Sequence, residues 1–188
     1  MSILDLPAVA AFLAKHSNHD SGERPTAVFD CDGTVIRGDI GEAMLYYQIE
    51  NFLFKVSPAT VWPDHPGRGE LDDLYRLIAG TEPDKRSSQP AFHQFADLVL
   101  YWYFGQINDG KVEKACADIV RLFAGYSLAE VRDIAGRVFE DERSSSVASR
   151  RLGTRILPKG VRFIKESVDL IRELQRLHFH IWAVSGSN

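Results

Sequence analysis

The sequence predicts an α/β protein with a helical block set inside it. Three observations carry that reading. A short apolar strand, Thr26-Ala27-Val28-Phe29, ends in two aspartates. A second short apolar strand, His180-Ile181-Trp182-Ala183-Val184, lies at the other end of the chain. The stretch between them is far longer than a crossover between parallel strands needs. The outer pieces, 1–39 and 156–188, are expected to form a partial α/β core of parallel type, and 40–155 an inserted α-helical domain.

The chain has 188 residues, 45% hydrophobic and 11% aromatic, which suffices for a real core. Its net charge of -4 shows no bias toward nucleic acid or a membrane surface. A small-molecule substrate or a protein partner is expected instead. Cys31 and Cys116 are not expected to pair, which fits a reducing, cytoplasmic setting. No Cys/His cluster has zinc-ligand spacing. The N-terminal apolar run meets Asp5 before any basic residue and is too short to span a bilayer, so it reads as an amphipathic helix over 3–16 docked on the core.

His16 to Gly22 reads as a loop, and Thr26–Phe29 as a buried strand that Gly33 breaks. Ile40, Ala43, Met44 and Tyr47 repeat at helical spacing over 39–54. Residues 57–69, with three prolines and two glycines, read as an irregular loop. Leu71, Leu74, Leu77 and Ile78 mark a helix, 80–90 a break, and 92–107 a long apolar helix. Val112 to Phe123 repeats at helical spacing. Ser127 and Glu130 match a capping box opening a further helix. Residues 141–155, rich in serine and arginine, read as a solvated connection. After Gly160 a helix carrying Phe163, Leu170, Ile171, Leu174 and Leu177 leads into the last strand.

The chemistry concentrates at Asp30-Cys31-Asp32-Gly33-Thr34. Side chains two apart on a strand share a direction, and Asp30 and Asp32, lying where the strand ends, are expected to point the same way with a slight splay. Two neighbouring carboxylates are costly unless a cation or hydrogen-bond donors accompany them. Gly33 permits a turn and close approach of a ligand. In open parallel sheets ligands bind beyond the carboxyl ends of the strands. A hard dication with oxygen ligands, Mg²⁺, suits Asp30 and Asp32. A bare Asp-x-Asp would read as a capped turn; the apolar strand before it and Gly-Thr-Val-Ile after it favour a site.

Asp30-Cys31-Asp32-Gly33-Thr34-Val35 resembles the first motif of the haloacid dehalogenase (HAD) superfamily, and Ile181-Trp182-Ala183-Val184-Ser185-Gly186 resembles its second. The order, with a helical insert between, is similar to the phosphoserine phosphatase-like branch, and Asp32 to Asp39 to phosphorylcholine phosphatase-like relatives. The resemblance implies a Rossmann-like HAD core, here incomplete, with an inserted cap that closes over the substrate. It implies hydrolysis of a small phosphorylated metabolite, phosphoserine- or phosphocholine-like. Asp30 would be the nucleophile and Asp32 the general acid and base. Asp30 and the Asp32 carbonyl would ligate Mg²⁺. Ser185 and the Gly186 amide would bind phosphate, and Thr34 would steady the loop.

The family's third motif, a lysine, and fourth, an acidic pair, normally follow the second, and nothing follows Asn188. Lys159 and Lys165 come in the wrong order, and Asp169 and Glu173 read as a solvent face. Residues 1–188 alone are therefore expected to show little or no phosphatase activity, the remainder lying in a missing C-terminal segment or a second chain. Asp39 is either a contact for a substrate ammonium or, with Glu42 at N3, a helix cap. Arg37 reads as a substrate-carboxylate contact or a solvated arginine. Tyr46, Tyr47, Trp62, Trp102 and Tyr103 are read as core rather than an aromatic box, His65 and His93 as ordinary histidines, and Ser144–Ser146 as linker. The rivals are a non-catalytic phosphate- or partner-binding remnant, and phosphonate or haloacid hydrolysis on the same scaffold.

Overall fold

The computed structural model describes residues 3–16 and 24–185. The chain divides into two compact units, one formed by Met1–Asp39 with Val161–Ser187 and the other by Ile40–Gly160. In chain order the elements are α1 (Pro7–Lys15), β1 (Thr26–Asp30), β2 (Ile36–Arg37), α2 (Ile40–Glu50), α3 (Pro58–Val61), α4 (Arg68–Ala79), α5 (Pro83–Arg86), α6 (Pro90–Asn108), α7 (Val112–Arg121), α8 (Leu128–Ser144), β3 (Ser149–Leu152), β4 (Arg155–Pro158), β5 (Arg162–Phe163), α9 (Lys165–Arg176) and β6 (His180–Val184). Among the described residues, no helix is long and apolar enough to cross a membrane.

In the first unit β1 and β6 pair in parallel, with Thr26 opposite His180 and Asp30 opposite Val184. Leu13, Leu174 and Phe179 form a small core, with Leu4, Val9, Ala27, Phe29, Leu170 and Ile181 packed against it. This core draws one face of the strand pair together with α1 and α9. The alternate residues Val28 and Trp182 are each 63% exposed, so β1 is half-exposed rather than buried as expected. Period-2 alternation puts successive side chains on opposite faces, and only one face is covered. α9 ends with His178 in the left-handed region (φ 62). The Phe179 N–H returns to the Leu174 carbonyl at 3.0 Å, so the chain turns at once into β6. Phe163, expected on the helix, instead lies on β5, opposite Ile36 of β2.

The second unit is a helical assembly around Leu45, Ile49, Trp62, Leu71, Ile78, Phe95, Val99 and Leu100, all buried. α2 stops at Glu50, short of the expected Phe54: Phe52 adopts φ 49 and the Leu53 N–H bonds back to the Gln48 carbonyl at 2.8 Å, a left-handed helix ending. Short helices α3 and α5 interrupt the expected loops, each with proline in its first turn. The expected capping box is present at α8: Ser127 Oγ accepts from the Glu130 N–H at 3.3 Å, and Glu130 Oε2 accepts from the Ser127 N–H at 2.8 Å. Lys55 Nζ, the Ser127 N–H and the Ser127 hydroxyl all donate to the Glu130 carboxylate and hold its pKa down at about 2.

Residues 141–155 are not a solvated connection. α8 runs to Ser144, and β3 and β4 form an antiparallel hairpin with Leu152 opposite Arg155. The second unit accordingly runs to Gly160 rather than residue 155. The inward residues of β3 are Arg150 and Leu152. Arg150 is buried against Glu142, which is buried too, and pairs with Glu50 at 2.9 Å. An arginine in a core position hid the strand from a hydrophobicity pattern. Of the expected alternatives, surface or cap histidine, His65 is the second: it is buried in the helical unit and stacked on Trp62 at 6.1 Å. Its Nδ1 accepts from the Gly67 N–H at 3.0 Å and its Nε2 meets the Leu98 carbonyl at 3.3 Å. His93 is exposed.

Candidate functional site

The site begins where β1 runs out. The Cys31 N–H still bonds to the Val184 carbonyl at 3.1 Å, continuing the parallel ladder one residue past Asp30. The chain then folds tightly on itself. The Cys31 carbonyl accepts from Val35 at 2.9 Å and Ile36 at 3.0 Å, and the Gly33 N–H bonds to the Ile36 carbonyl at 2.8 Å. This turn needs Gly33 at φ 74, where a side chain is disfavoured. Two contacts from the α9 end pin it. Ser167 Oγ donates to the Thr34 carbonyl at 2.6 Å, and the Ile164 N–H donates to the Val35 carbonyl at 2.9 Å.

Ser185 follows β6 directly, and its Oγ donates to Asp32 Oδ2 at 3.4 Å. Residues far apart in sequence thus meet at the carboxyl ends of two paired strands. Asp30 is exposed, Asp32 half-buried and Ser185 exposed, which leaves the cluster open to a ligand. The Cys31 thiol reports the local field. Burial pushes its pKa up first, and the charges of Asp32, Asp30 and Asp39 push it further. Three carboxylates therefore act on one point, an arrangement that attracts a cation. Both cysteines are free thiols.

The donor chemistry fits a hard dication in kind. Carboxylate oxygens suit Mg²⁺, which binds through one or two carboxylates and keeps several waters. Among the described residues, no group of three or more His, Cys, Asp and Glu gathers to hold a metal. Of the described residues, Asp30 and the Asp32 carbonyl would offer oxygen ligands at this point.

The other sequence candidates distribute as follows. Thr34 contributes its carbonyl to the loop lock described above. Arg37 lies on β2 and is exposed. Asp39 immediately precedes α2, and Glu42 is its third residue, the spacing of a cap. Glu42 belongs to the helical unit, where its carboxylate accepts from Tyr46 Oη at 2.9 Å and Tyr103 Oη at 3.1 Å. Gly186 lies outside the described residues, as does the expected loop beyond His16. Tyr46, Trp62 and Tyr103 are buried in the helical core. Asp169 pairs with Lys165 and Glu173 with Arg176 along one helix, and Lys159 pairs with Asp141. Ser167 was not foreseen. A lone helical serine carries no signal, and only tertiary placement sets it under Thr34.

The fold and this cluster define a mixed α/β protein, mostly helical with small sheets. No family model matches the chain, and no curated protein does. Among solved structures it is similar to a conserved, functionally unknown protein from Anaerococcus prevotii DSM 20548, with a TM-score of 0.75 and 21% identity. The match covers 96% of this chain and 59% of that one, so this chain spans about three-fifths of that relative's length. Identity at this level shows the fold alone.

Proposed function

We propose that the cluster at the ends of β1 and β6 is a HAD-type phosphoryl-transfer site on an incomplete Rossmann-like core, with residues 40–160 as its helical cap. The intact protein would hydrolyse a small phosphomonoester, phosphoserine- or phosphocholine-like. An Asp30 carboxylate oxygen attacks phosphorus, the ester P–O bond breaks, and Asp32 gives its proton to the leaving alkoxide. Water then attacks phosphorus, Asp32 takes its proton, and the bond to Asp30 breaks to release phosphate. Asp30 and the Asp32 carbonyl would hold Mg²⁺, which when bound offsets the repulsion between carboxylate and phosphate. Ser185 positions a phosphate oxygen. Asp32 favours phosphate over halide chemistry, because a leaving alkoxide needs a proton and a halide does not.

The observation that supports this reading is the Ser185–Asp32 hydrogen bond, formed at the carboxyl end of a parallel pair. The test is calorimetric titration of the protein with beryllofluoride, with and without Mg²⁺. The expected result is saturable binding that requires Mg²⁺, disappears in Asp30→Asn and weakens in Ser185→Ala. Absence of Mg²⁺-dependent binding, or full retention in Asp30→Asn, would leave the non-catalytic remnant as the better account.

A further inference from the structure

The helical unit carries a pocket of its own. It has a volume of about 540 Å³ and lies between α2, α3, α7 and the start of α8. That is within the range of roughly 300–1,000 Å³ typical of small-molecule sites. Its walls are apolar, among them Met44, Val61, Ile119, Phe123, Leu128 and Val131. Phe123 and Tyr126 meet edge to face at 6.1 Å and build one side. Leu128 is 88% exposed and Val120 49%, so this apolar lining stands open to water. Leaving apolar surface wet forgoes about 25 cal/mol per Å² of burial, a cost that a bound apolar group removes.

One charge sits in the lining. Arg121 borders the pocket and donates to Asp118 Oδ1 at 2.8 Å. Asp118 is buried and also takes Lys114 Nζ at 2.7 Å, together with the Trp102 and Gln106 side chains at 3.1 Å each. Two cations thus share one carboxylate, which does not neutralise both. Of the two, Arg121 borders this pocket, whereas Lys114 lies over the Trp102 ring at 4.9 Å. Lys55 is paired with Glu130 at 2.6 Å.

From the apolar walls and this excess charge, we infer that the helical unit binds an amphipathic organic anion, its alkyl or aryl body in the pocket and its carboxylate on Arg121. The site lies wholly within Ile40–Gly160 and does not rest on the reading of Asp30. The probes are octanoate and 1-octanol, which share a chain and differ in charge, titrated by calorimetry and located by amide shifts in NMR spectra. The expected result is one saturable octanoate site, with shifts centred on Met44, Val120, Ala124 and Val131. Octanoate should bind about tenfold more tightly than octanol, the worth of one charge-assisted hydrogen bond. Arg121→Gln should remove that preference without weakening octanol. Val120→Glu, at a half-exposed helix position, should abolish octanoate binding, and Ala124→Leu should do so by filling the space if the first variant disturbs the fold. Octanoate that fails to saturate, binds no better than octanol, or binds equally to both pocket variants would overturn the inference.

Discussion

Replacing Gly153 with alanine should cost the protein about 2–5 kcal/mol. Gly153 and Thr154 form the two-residue turn between Leu152 of β3 and Arg155 of β4. Gly153 sits at φ 57, a left-handed conformation that costs an L-residue about 1–2 kcal/mol. A Cβ there would stand 2.2 Å from Asp97 Oδ1 and 2.5 Å from its Cγ. That same oxygen accepts both the Thr154 N–H and Thr154 Oγ1, each at 2.9 Å. Moving the carboxylate aside sacrifices these two bonds, at about 0.5–1.5 kcal/mol each. For a chain of this size the sum lowers Tm by about 4–20 °C. Urea and thermal unfolding followed by circular dichroism measure it. The decisive comparison is Gly153→Ala in an Asp97→Ala background, where the clash is gone and only the backbone part, about 1–2 kcal/mol, should remain. An equal cost in both backgrounds would show that the carboxylate contact is irrelevant. No cost in either would show that the turn does not take the left-handed form.

Two further predictions concern buried charge. Arg150→Met should destabilise by about 3–5 kcal/mol, because Glu142 is buried and would lose its cation, while Arg150→Met with Glu142→Leu should recover more than half of that loss in urea unfolding. His65 is held neutral, since burial lowers its pKa below the ordinary 6.5. The unfolded chain takes up this proton first, so stability should be intact above pH 6.5 and fall as pH drops from there through the folded-state pKa. Denaturation series at pH 7.5 and 5.5 should show a larger loss in the native protein than in His65→Gln, and equal losses would refute the role given to burial.

Much of the architecture is legible in local chemistry. β1 and β6 announce themselves by apolar runs broken at Gly33 and at Ser185, and α8 by its capping box, because these signals act within a few residues. The acids of the candidate site were legible for a similar reason: two carboxylates closing an apolar strand before a glycine form a pattern contained within a few residues. Arg150 shows the opposite case. It occupies an inward position of β3, but its charge is met by Glu50, a hundred residues away, and by Glu142 on the preceding helix, so a hydrophobicity pattern reads the strand as linker. The burial of His65 is not legible locally either, since its stacking on Trp62 and its bonds to Gly67 and Leu98 exist only in the packed helical unit.

The sequence by itself determined which residues carry acid, where the strands end and where helices start, since propensity, capping and turn chemistry are properties of neighbours along the chain. Only the tertiary structure decided that Ser185 reaches Asp32, that Ser167 locks the Thr34 carbonyl, and that an open apolar pocket forms beside Arg121. Those arrangements depend on strand register and helix packing, which are set by burial summed over the whole fold rather than by any local run of residues.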